Sequence, residues 1–418
     1  MEPWSQRRLG WEAFLPIPGR RKKMTRLVVG VDISKSSFSV AGLKADGHES
    51  FTGSYAMDRG GFTEFLEKII TCCPDLQEIL VGMESTGCYQ INLVSFLGSR
   101  GIRAVVINPL LIANYAKLSL RKTKTDKKDA RTIAKFLLDH QEGLSHLALS
   151  EDLQDLRDLA RERESLSHLI SATKVEIKRV LQTTFPELES LGNVTTGVML
   201  RLLQAYPSAR LVRAASLKAL NKILNYAARG TKPSFSTGDI REAAQSSIAT
   251  NSPAKEIILQ GKIATLLHLQ ERLDEMTQLL TELCLASRLE DFKILQSIKG
   301  VGPNTAAPFL AEMGRIENFP SSKQLIAFAG LDPSLYQSGK FIGQSKISKR
   351  GNRHLRRVIY LMASSVVLNN AFFKSYFLKR KQEGLPPQKA LFAVSHKLIR
   401  VIFAMLSHKT YFMKMEAF

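Results

Sequence analysis

One short apolar run limits the possible fold of this chain more than any other feature. Residues 27–33 read LVVGVDI, a continuous apolar stretch of strand length with an acid, Asp32, near its end. A carboxylate on a buried central strand is strongly destabilising unless a cation or hydrogen bonds compensate its charge. The run therefore predicts an interior strand whose end carries a functional acid.

The segments after this run follow the order of an RNase H-like α/β fold. Their strand-length patterns are SFSVAGLK (37–44), HESFTGSY (48–55), EILVGM (78–83) and IRAVVIN (102–108). The turn at residues 45–47 joins the first two of them into a hairpin, so the domain starts with three antiparallel strands. Helical patterns separate and follow the remaining two strands, ending near Leu138. We predict an α/β domain over residues 25–148, followed by α-helical domains.

Residues 149–290 are predicted to be helical and contain two heptad seams. One seam starts at Leu156 and ends before Pro186, and the other runs from Leu259 to Leu283. The spacing fits either an antiparallel pair within one chain or a coiled coil between chains, and heptads alone do not decide between them.

The C-terminal zone, residues 291–418, opens with LQSIKGVGPNTAAPFLAEMG. A tight turn at Gly300 and Gly302, with Pro303 at the start of the next helix, predicts a helix-hairpin-helix unit. The backbone N–H groups of such a turn contact a phosphate of DNA without reading bases. A plain pair of helices joined by a tight turn is the alternative interpretation.

Positive charge is concentrated in three segments. The chain carries 59 Lys and Arg against 38 Asp and Glu, a formal net charge of +21. Residues 1–24 hold six basic and two acidic side chains, residues 117–135 hold eight and two, and residues 343–410 hold fourteen and one. These segments account for the whole excess, which is typical of surfaces that bind nucleic-acid phosphates. For the basic extension at residues 1–24, a disordered solubilising arm is an equal alternative.

The sequence favours a cytoplasmic protein that has no contact with a membrane. The four cysteines have neither CxxC spacing nor a histidine cluster nearby, so a disulfide framework and a zinc module are not expected. No run of 18 or more apolar residues occurs, and residues 1–24 lack the pattern of a signal peptide.

Three further acids are candidates to join Asp32. Glu84 ends the strand in VGMESTGCY, which lies beside the first strand in an RNase H-like sheet, and Asp126 and Asp129 share one face of a helix start in TKTDKKDARTIAKFLL. Four converging carboxylates repel each other unless cations bridge them, and two Mg²⁺ ions are the usual arrangement for phosphodiester chemistry. Acids that only complement the helix dipole are the alternative for Asp126 and Asp129. The lysines expected to hold the nucleic-acid backbone beside this site are Lys122, Lys124, Lys127 and Lys128.

A serine near a cationic cluster is the densest feature of the C-terminal zone. In FAGLDPSLYQSGKFIGQSKISKRGNRHLRRVIY, Ser338 precedes Gly339 in a predicted turn. The cations expected to bind nucleic acid here are Lys340, Lys349, Arg350, Arg353, Arg356 and Arg357. Guanidinium groups would neutralise the developing charge while the serine forms a covalent phosphoserine. Ordinary turn chemistry is the alternative for a serine beside a glycine.

Six motifs occur in a fixed order over residues 25–365. They are GVDISK, MESTGCY, KTDKKDARTIA, GVGPNTAAPFLAEMG, AGLDPSLYQSGK and KISKRGNRHLRR. Together they resemble the DEDD-type transposases of bacterial insertion sequences, the bridge-RNA-guided serine recombinases that also include a pilin-gene invertase.

The resemblance implies a RuvC-like DEDD domain, a coiled-coil segment and a C-terminal transposase domain. It also implies Mg²⁺ dependence, with Ser338 as the nucleophile and Ser345 and Ser348 as nearby alternatives. The acids that it carries over as catalytic and metal-binding are Asp32, Glu84, Asp126 and Asp129. The implied partners are double-stranded donor and target DNA, a noncoding guide RNA and further copies of this chain. In the implied dimer or tetramer, one subunit's acids meet another's serine.

Two other functions fit the same residues. The first is a RuvC-like, metal-dependent nuclease that cuts DNA junctions with water and has an inert Ser338. The second is a non-catalytic DNA-binding protein whose acids only cap helices.

Overall fold

The computed structural model of the chain describes most of its length. The described ranges are 25–84, 89–107, 109–116, 126–144, 151–227, 235–334, 337–338, 341–342 and 346–412. The predicted basic extension at residues 1–24 lies outside them, as do Lys122, Lys124, Lys340 and Ser345. The chain folds into two compact units. Unit 1 is Met1–Asp155, Lys293–Val301 and Met313–Phe418, and unit 2 is Leu156–Phe292 and Gly302–Glu312.

Unit 1 contains a five-stranded mixed sheet. Its strands are β1 (Leu27–Ile33), β2 (Ser37–Lys44), β3 (Glu49–Ala56), β4 (Ile79–Glu84) and β5 (Arg103–Ile107). Their spatial order is β3-β2-β1-β4-β5, with β1 antiparallel to β2 and parallel to β4. The predicted antiparallel start is confirmed, and the sheet is consistent with the expected RNase H-like fold.

β1 is the central strand, and helices cover both of its faces. The helices of this region are α1 (Arg59–Cys72), α2 (Gln90–Gly98), α3 (Pro109–Ala116) and α4 (Asp126–Leu144). On one face Val29 shares a core with Phe65 of α1. On the other face Val28 shares a core with Leu137 of α4. A continuous apolar run is the pattern of a strand buried on both sides, which explains why residues 27–31 are all buried.

Unit 2 is helical and is built on two long antiparallel helices. The helices that follow α4 are α5 (Glu151–Thr184), α6 (Gly197–Ala205), α7 (Ala209–Ala214), α8 (Leu217–Ala227), α9 (Thr237–Gln245), α10 (Pro253–Gln296) and α11 (Pro303–Met313). Arg163 Nε of α5 donates to Thr277 Oγ1 of α10 at 2.8 Å, and Glu176 of α5 pairs with Lys262 of α10 at 3.4 Å. Rising numbers in α5 meet falling numbers in α10, so the two predicted seams pair within the chain. A coiled coil as such stays a prediction.

Two arginines of α5 hold the end of α11. Arg161 donates from Nε and Nη2 to the two carboxylate oxygens of Glu312 at 2.8 and 3.2 Å, and this hydrogen-bonded pairing raises the pKa of Arg161. Arg157 Nε donates to the carbonyl oxygen of Ala311 at 3.1 Å. Glu312 is only 1% exposed. Cations at a helix C-terminus satisfy carbonyl groups that have no partner inside the helix.

The C-terminal part of unit 1 combines helices with very short strands. Its elements are α12 (Ser322–Phe328), β6 (Pro333–Ser334), β7 (Gln337–Ser338), β8 (Phe341–Ile342), β9 (Lys346–Ile347), α13 (Arg353–Asn369), α14 (Ala371–Gln382) and α15 (Pro387–His408). α15 packs against α12, α13 and α14. By length and composition alone it is also the single helix among the described residues that is apolar enough to cross a membrane. Its apolar window is 44% buried, and its Val394, Leu398 and Ile402 are buried core residues.

Candidate functional site

Asp32 and Glu84 lie at the carboxyl ends of neighbouring parallel strands. Asp32 is the sixth residue of β1, and Glu84 is the last residue of β4. Val31 is opposite Met83 in the parallel register, so the next residue along each strand is an acid. Both acids are half-buried. The structure therefore brings these two predicted carboxylates to the same edge of the sheet.

Two glycines show which face of the sheet these acids share. A Cβ on Gly30 would lie 2.1 Å from the carbonyl oxygen of Ala130, and a Cβ on Gly82 would lie 2.4 Å from Cδ1 of Leu137. Ala130 and Leu137 both belong to α4, so α4 lies directly on this face. Side chains alternate along a strand, so the acids two residues after each glycine face the layer of α4.

α4 runs antiparallel to β1 and carries its first turn toward the strand ends. Ala130 contacts the middle of β1, whereas Leu138 reaches the turn between β2 and β3 at Gly47, close to the start of β1. Asp129, which is half-buried, directly precedes Ala130. The helix thus positions Asp129 toward the edge where the strand-end acids lie. The side chains that lie outside the described residues are those of Asp126, Lys127 and Lys128.

Ser338 lies on a β-hairpin between α12 and α13. β6 pairs antiparallel with β9, and β7 pairs antiparallel with β8 inside them. Ser338 is the last residue of β7 and is opposite Phe341. The sequence predicts a turn at this serine, whereas the structure places it on a strand, next to the two residues that connect β7 and β8. The side chain of Ser338 lies outside the described residues.

The hairpin is tied at its base to the end of α12. The N–H groups of residues 348, 349 and 352 donate to the carbonyl oxygens of residues 332, 330 and 328 at 2.8, 3.0 and 2.7 Å. Ser348 also donates its hydroxyl to the Asp332 carboxylate. Gly330 has a φ of +64°, and a Cβ on Gly351 would lie 2.2 Å from the Phe328 carbonyl oxygen. Residues 328–332 and 348–352 are called the hairpin base below.

Two family models match the regions that carry these features. A model described as Transposase, of the DEDD type, covers residues 29–186, which include the sheet and α4. A second, described as Transposase IS116/IS110/IS902 family, covers residues 292–378, which include the hairpin. The chain belongs to this family of transposases. The resemblance drawn from the six sequence motifs is thereby confirmed, and the protein is an enzyme of the transposase class.

Relatives of this transposase match it over nearly the full length of both chains. The insertion element IS116 protein of Streptomyces clavuligerus is 24% identical, over 93% of this chain and 96% of its own. The transposase for insertion sequence element IS1111A of Coxiella burnetii is 26% identical, over 93% and 92%. The pilin gene-inverting protein of Moraxella bovis is 22% identical, over 92% and 96%. The similarity is thus spread along the chain rather than confined to one domain.

Membership in a DEDD family suggests that the transposase depends on a divalent metal. The donors that the sequence predicts are all carboxylate oxygens, the ligands that hard divalent cations prefer. Among the described side chains, which do not include that of Asp126, no group of three or more candidate ligands lies close enough to hold an ion. The residues that would hold the metal are Asp32 and Glu84 at the strand ends, with Asp126 and Asp129 from α4.

The predicted phosphate-binding residues around α13 divide into exposed and packed side chains. Those exposed at the start of the helix are Lys349, Arg350 and Arg353. Arg356 and Arg357 are half-buried. Arg356 donates from Nη1 to the Ala329 carbonyl oxygen at 3.0 Å, and burial lowers its pKa. Arg356 therefore stabilises the hairpin base, a role that the sequence did not predict.

Packing within unit 1 accounts for the glycine at position 300. Gly300 has a φ of +102°, and its Cβ would lie 2.9 Å from Cα of Val366 in α13. Gly302 has open space around its Cβ position among the described atoms. α11 begins at Pro303, as the sequence predicts. Contact of this turn with a phosphate, and the helix-hairpin-helix assignment itself, stay predictions.

Sequence reasoning missed the contacts that hold the hairpin in place. His396 of α15 contacts the Leu331 carbonyl oxygen through Nε2 at 2.8 Å, and the Ser348 hydroxyl binds Asp332. Each contact joins residues at least 16 positions apart, so no local spacing reveals it. The paired glycines of AGLD and KRGN, Gly330 and Gly351, were the available signal of a close backbone approach.

Proposed function

We propose that this transposase cuts and rejoins the DNA of a bacterial insertion sequence through a serine nucleophile assisted by Mg²⁺. The observation that carries the proposal is the placement of Asp32 and Glu84 side by side beneath α4, in a chain that belongs to a DEDD transposase family. Support also comes from relatives that are named as a transposase and as a pilin gene-inverting protein.

The proposed reaction balances in two steps. The Ser338 hydroxyl attacks the scissile phosphorus, and its proton passes to the departing deoxyribose oxygen while a phosphoserine ester replaces the phosphodiester. A hydroxyl of the incoming strand then attacks this ester, so that a new phosphodiester forms and the serine regains its proton. Because the ester keeps the energy of the broken bond, strands are rejoined without ATP.

The chain's own residues have separate tasks in this scheme. The four proposed metal ligands are Asp32, Glu84, Asp126 and Asp129. Mg²⁺ held by these residues would neutralise developing negative charge and polarise the reacting oxygens. The exposed cations Lys349, Arg350 and Arg353 hold the scissile phosphate, because they surround the start of α13, where the helix dipole also favours an anion. Lysines of residues 122–128 hold the DNA backbone beside the metal ligands.

The proposal extends to the assembly in which the reaction occurs. Donor and target duplexes are bound together by a dimer or tetramer in the cytoplasm, and a noncoding RNA guides their choice. The acids of one subunit act with the serine of another. The support for this arrangement is the family resemblance, together with the concentration of positive charge in segments that flank the acids and follow the serine.

The decisive experiment traps the covalent intermediate. Labelled donor and target DNA are incubated with the protein, Mg²⁺ and the noncoding RNA that flanks the element, and the products are separated under denaturing conditions. We expect a protein-linked DNA band that disappears in Ser338→Ala, persists in Ser345→Ala, and forms more slowly but is not lost in Ser348→Ala. Asp32→Asn is expected to abolish both the adduct and the exchanged product.

Other outcomes assign the chain to a different function. Cleaved ends without any adduct, unchanged in Ser338→Ala, would show a metal-dependent nuclease that uses water. Loss of the adduct in Ser345→Ala or Ser348→Ala alone would move the nucleophile to that residue. DNA binding without cleavage under every condition would leave only the non-catalytic function.

A further inference from the structure

We propose that α14 and α15 form a second DNA-binding face, which holds the backbone of duplex DNA through a preorganised cluster of three cations. We call Lys379, Arg380 and Lys397 the cation cluster. The inference rests on the proposed DNA-processing function, but its residues belong neither to the acids nor to the hairpin. They lie beyond residue 378, where the second family model ends.

Two aromatic rings of α14 hold two members of the cluster, Lys397 and Arg380, and Lys379 directly precedes Arg380 in the chain. Lys397 of α15 places its Nζ 3.9 Å from the centre of the Phe372 ring and 4.3 Å from that of Tyr376. Arg380 places its guanidinium carbon 4.9 Å from the same Tyr376 ring and donates from Nη2 to the tyrosine hydroxyl at 2.9 Å. One ring therefore fixes cations from two helices beside each other, through attraction between the charges and the ring faces.

The cluster holds more positive charge than its surroundings compensate. Burial, together with the nearby charges of Lys379 and Arg380, lowers the pKa of Lys397. Residues 371–412 contain eight Lys and Arg and a single acid, Glu383. That acid pairs with Arg380 at 2.7 Å, which leaves the two lysines without a facing carboxylate in this segment. Like charges held close together repel each other, and a bound polyanion relieves that repulsion.

The geometry favours the backbone of a duplex over a single strand. Single strands are bound by stacking their bases on aromatic side chains. Here Lys397 already lies over the Phe372 ring, and Lys397 and Arg380 both lie over the Tyr376 ring. Duplex phosphates need only positioned cations, and positioned cations lose little side-chain freedom on binding. The exposed cations that extend the same helices are Lys374, Lys381, Lys389 and Arg400.

The test compares two variants that each lose two lysines and one arginine. The first carries Lys379→Gln, Arg380→Gln and Lys397→Gln. The matched control carries Arg213→Gln, Lys218→Gln and Lys222→Gln, at exposed positions on α7 and α8 of unit 2. Binding to a labelled duplex of arbitrary sequence is measured by fluorescence anisotropy in EDTA, where no cleavage takes place, at several salt concentrations.

We expect the first variant to bind the duplex about tenfold or more weakly near physiological salt, and the control to match the wild type. The slope of log K against log salt should become less steep by about 0.9 for each phosphate that the variant no longer neutralises. Lys379→Arg with Lys397→Arg keeps the charges and should retain binding. Melting temperatures of all variants separate a binding defect from a folding defect, and the single Lys379→Gln variant decides if the triple variant unfolds.

Three results would overturn the inference. Equal binding by the first variant, the control and the wild type would remove the second face while leaving the proposed function intact. A loss confined to single-stranded DNA or hairpin RNA would assign the cluster to another nucleic acid. Wild-type protein that binds no duplex at all would remove the proposed function together with this face.

Discussion

At the scale of single residues, the geometry of the candidate site depends on two glycines of the sheet, which have no side chain. Gly30 and Gly82 let α4 approach the sheet more closely than any Cβ would permit. This approach sets the separation between the strand-end acids and the first turn of α4. A glycine two residues before an acid therefore controls the geometry of the site without contacting substrate or metal.

Gly30→Ala tests this control directly. The added Cβ would lie within 2.3 Å of main-chain atoms of α4, so the helix must shift. We expect a loss of about 1–3 kcal/mol in the free energy of unfolding and a loss of DNA cleavage, measured by thermal melting and by the adduct assay. Gly261→Ala, in the first third of α10 with open space among the described atoms, should instead stabilise the protein by about 0.5–1 kcal/mol. Wild-type stability and activity in Gly30→Ala would contradict the prediction.

Cys284 is expected to make the folded protein less stable at alkaline pH. It is fully buried in α10, and burial raises the pKa of its thiol from 9.0 to about 11. Between these values the unfolded chain loses the thiol proton while the folded chain keeps it. Stability from this group therefore falls as pH rises through the window, by roughly 3 kcal/mol in total. In urea unfolding at pH 8 and pH 10.5, Cys284→Ala should show a smaller decline than the wild type, and equal declines would refute the assignment.

At the scale of elements, the hairpin that carries Ser338 has little structure of its own. Each of its four strands has two residues, so the ladder contains few backbone hydrogen bonds. Its position comes from the hairpin base, where backbone hydrogen bonds, two close glycines, Arg356 and the Ser348–Asp332 contact converge. The proposed nucleophile is thus positioned by residues that lie six or more places away in the sequence.

Ser348→Ala removes one contact of the hairpin base. We expect the free energy of unfolding to fall by about 1–2 kcal/mol, because the Asp332 carboxylate loses its hydroxyl partner. The rate of adduct formation should fall about tenfold or more while DNA binding is kept, a difference of about 1.4 kcal/mol in the barrier. Ser364→Ala is the control, since that hydroxyl donates within its own helix, to the Tyr360 carbonyl oxygen. An unaltered adduct rate in Ser348→Ala would show that the hairpin is held by its backbone alone.

The elements that could be predicted from the sequence are long enough to show a local pattern. Those that were missed are held by contacts between residues far apart in the chain. β1 and its neighbours were predictable because a continuous apolar run reads as a strand buried on both faces. The convergence of Asp32 and Glu84 followed, since parallel strands end at one edge. Ser338 was assigned to a turn because strands of two residues show no alternation. The packing of Gly300 on Val366 joins positions far apart in the chain, which local spacing does not reveal.

At the scale of the whole molecule, the proposed acids and the proposed nucleophile are far apart in the sequence. Asp129 and Ser338 belong to different family models, and the helices of unit 2 lie between them in the chain. The family resemblance implies that such a site is assembled from two subunits.

Mixing two inactive variants tests this shared site. Asp32→Asn and Ser338→Ala are each expected to be inactive in strand exchange. In mixed oligomers, about a quarter of the sites would combine intact acids from one subunit with an intact serine from another. The mixture should therefore regain part of the wild-type exchange, measured as recombinant product per unit protein. If both halves of a site come from one subunit, the mixture stays inactive.

Because α5 and α10 are antiparallel, the chain runs in one direction through α5 and returns in the opposite direction through α10. Arg157 and Arg161 of α5 hold α11, and Arg288, near the end of α10, donates to the Leu310 carbonyl oxygen at 2.8 Å. The start of α5 and the end of α10 are therefore both held by contacts with α11. If equal numbers of heptads were added to both helices, the α5–α10 pair would become longer by about 10 Å per heptad. The contacts with α11 would stay in place. The length of the α5–α10 pair can thus change by insertion and deletion while its contacts with α11 stay the same.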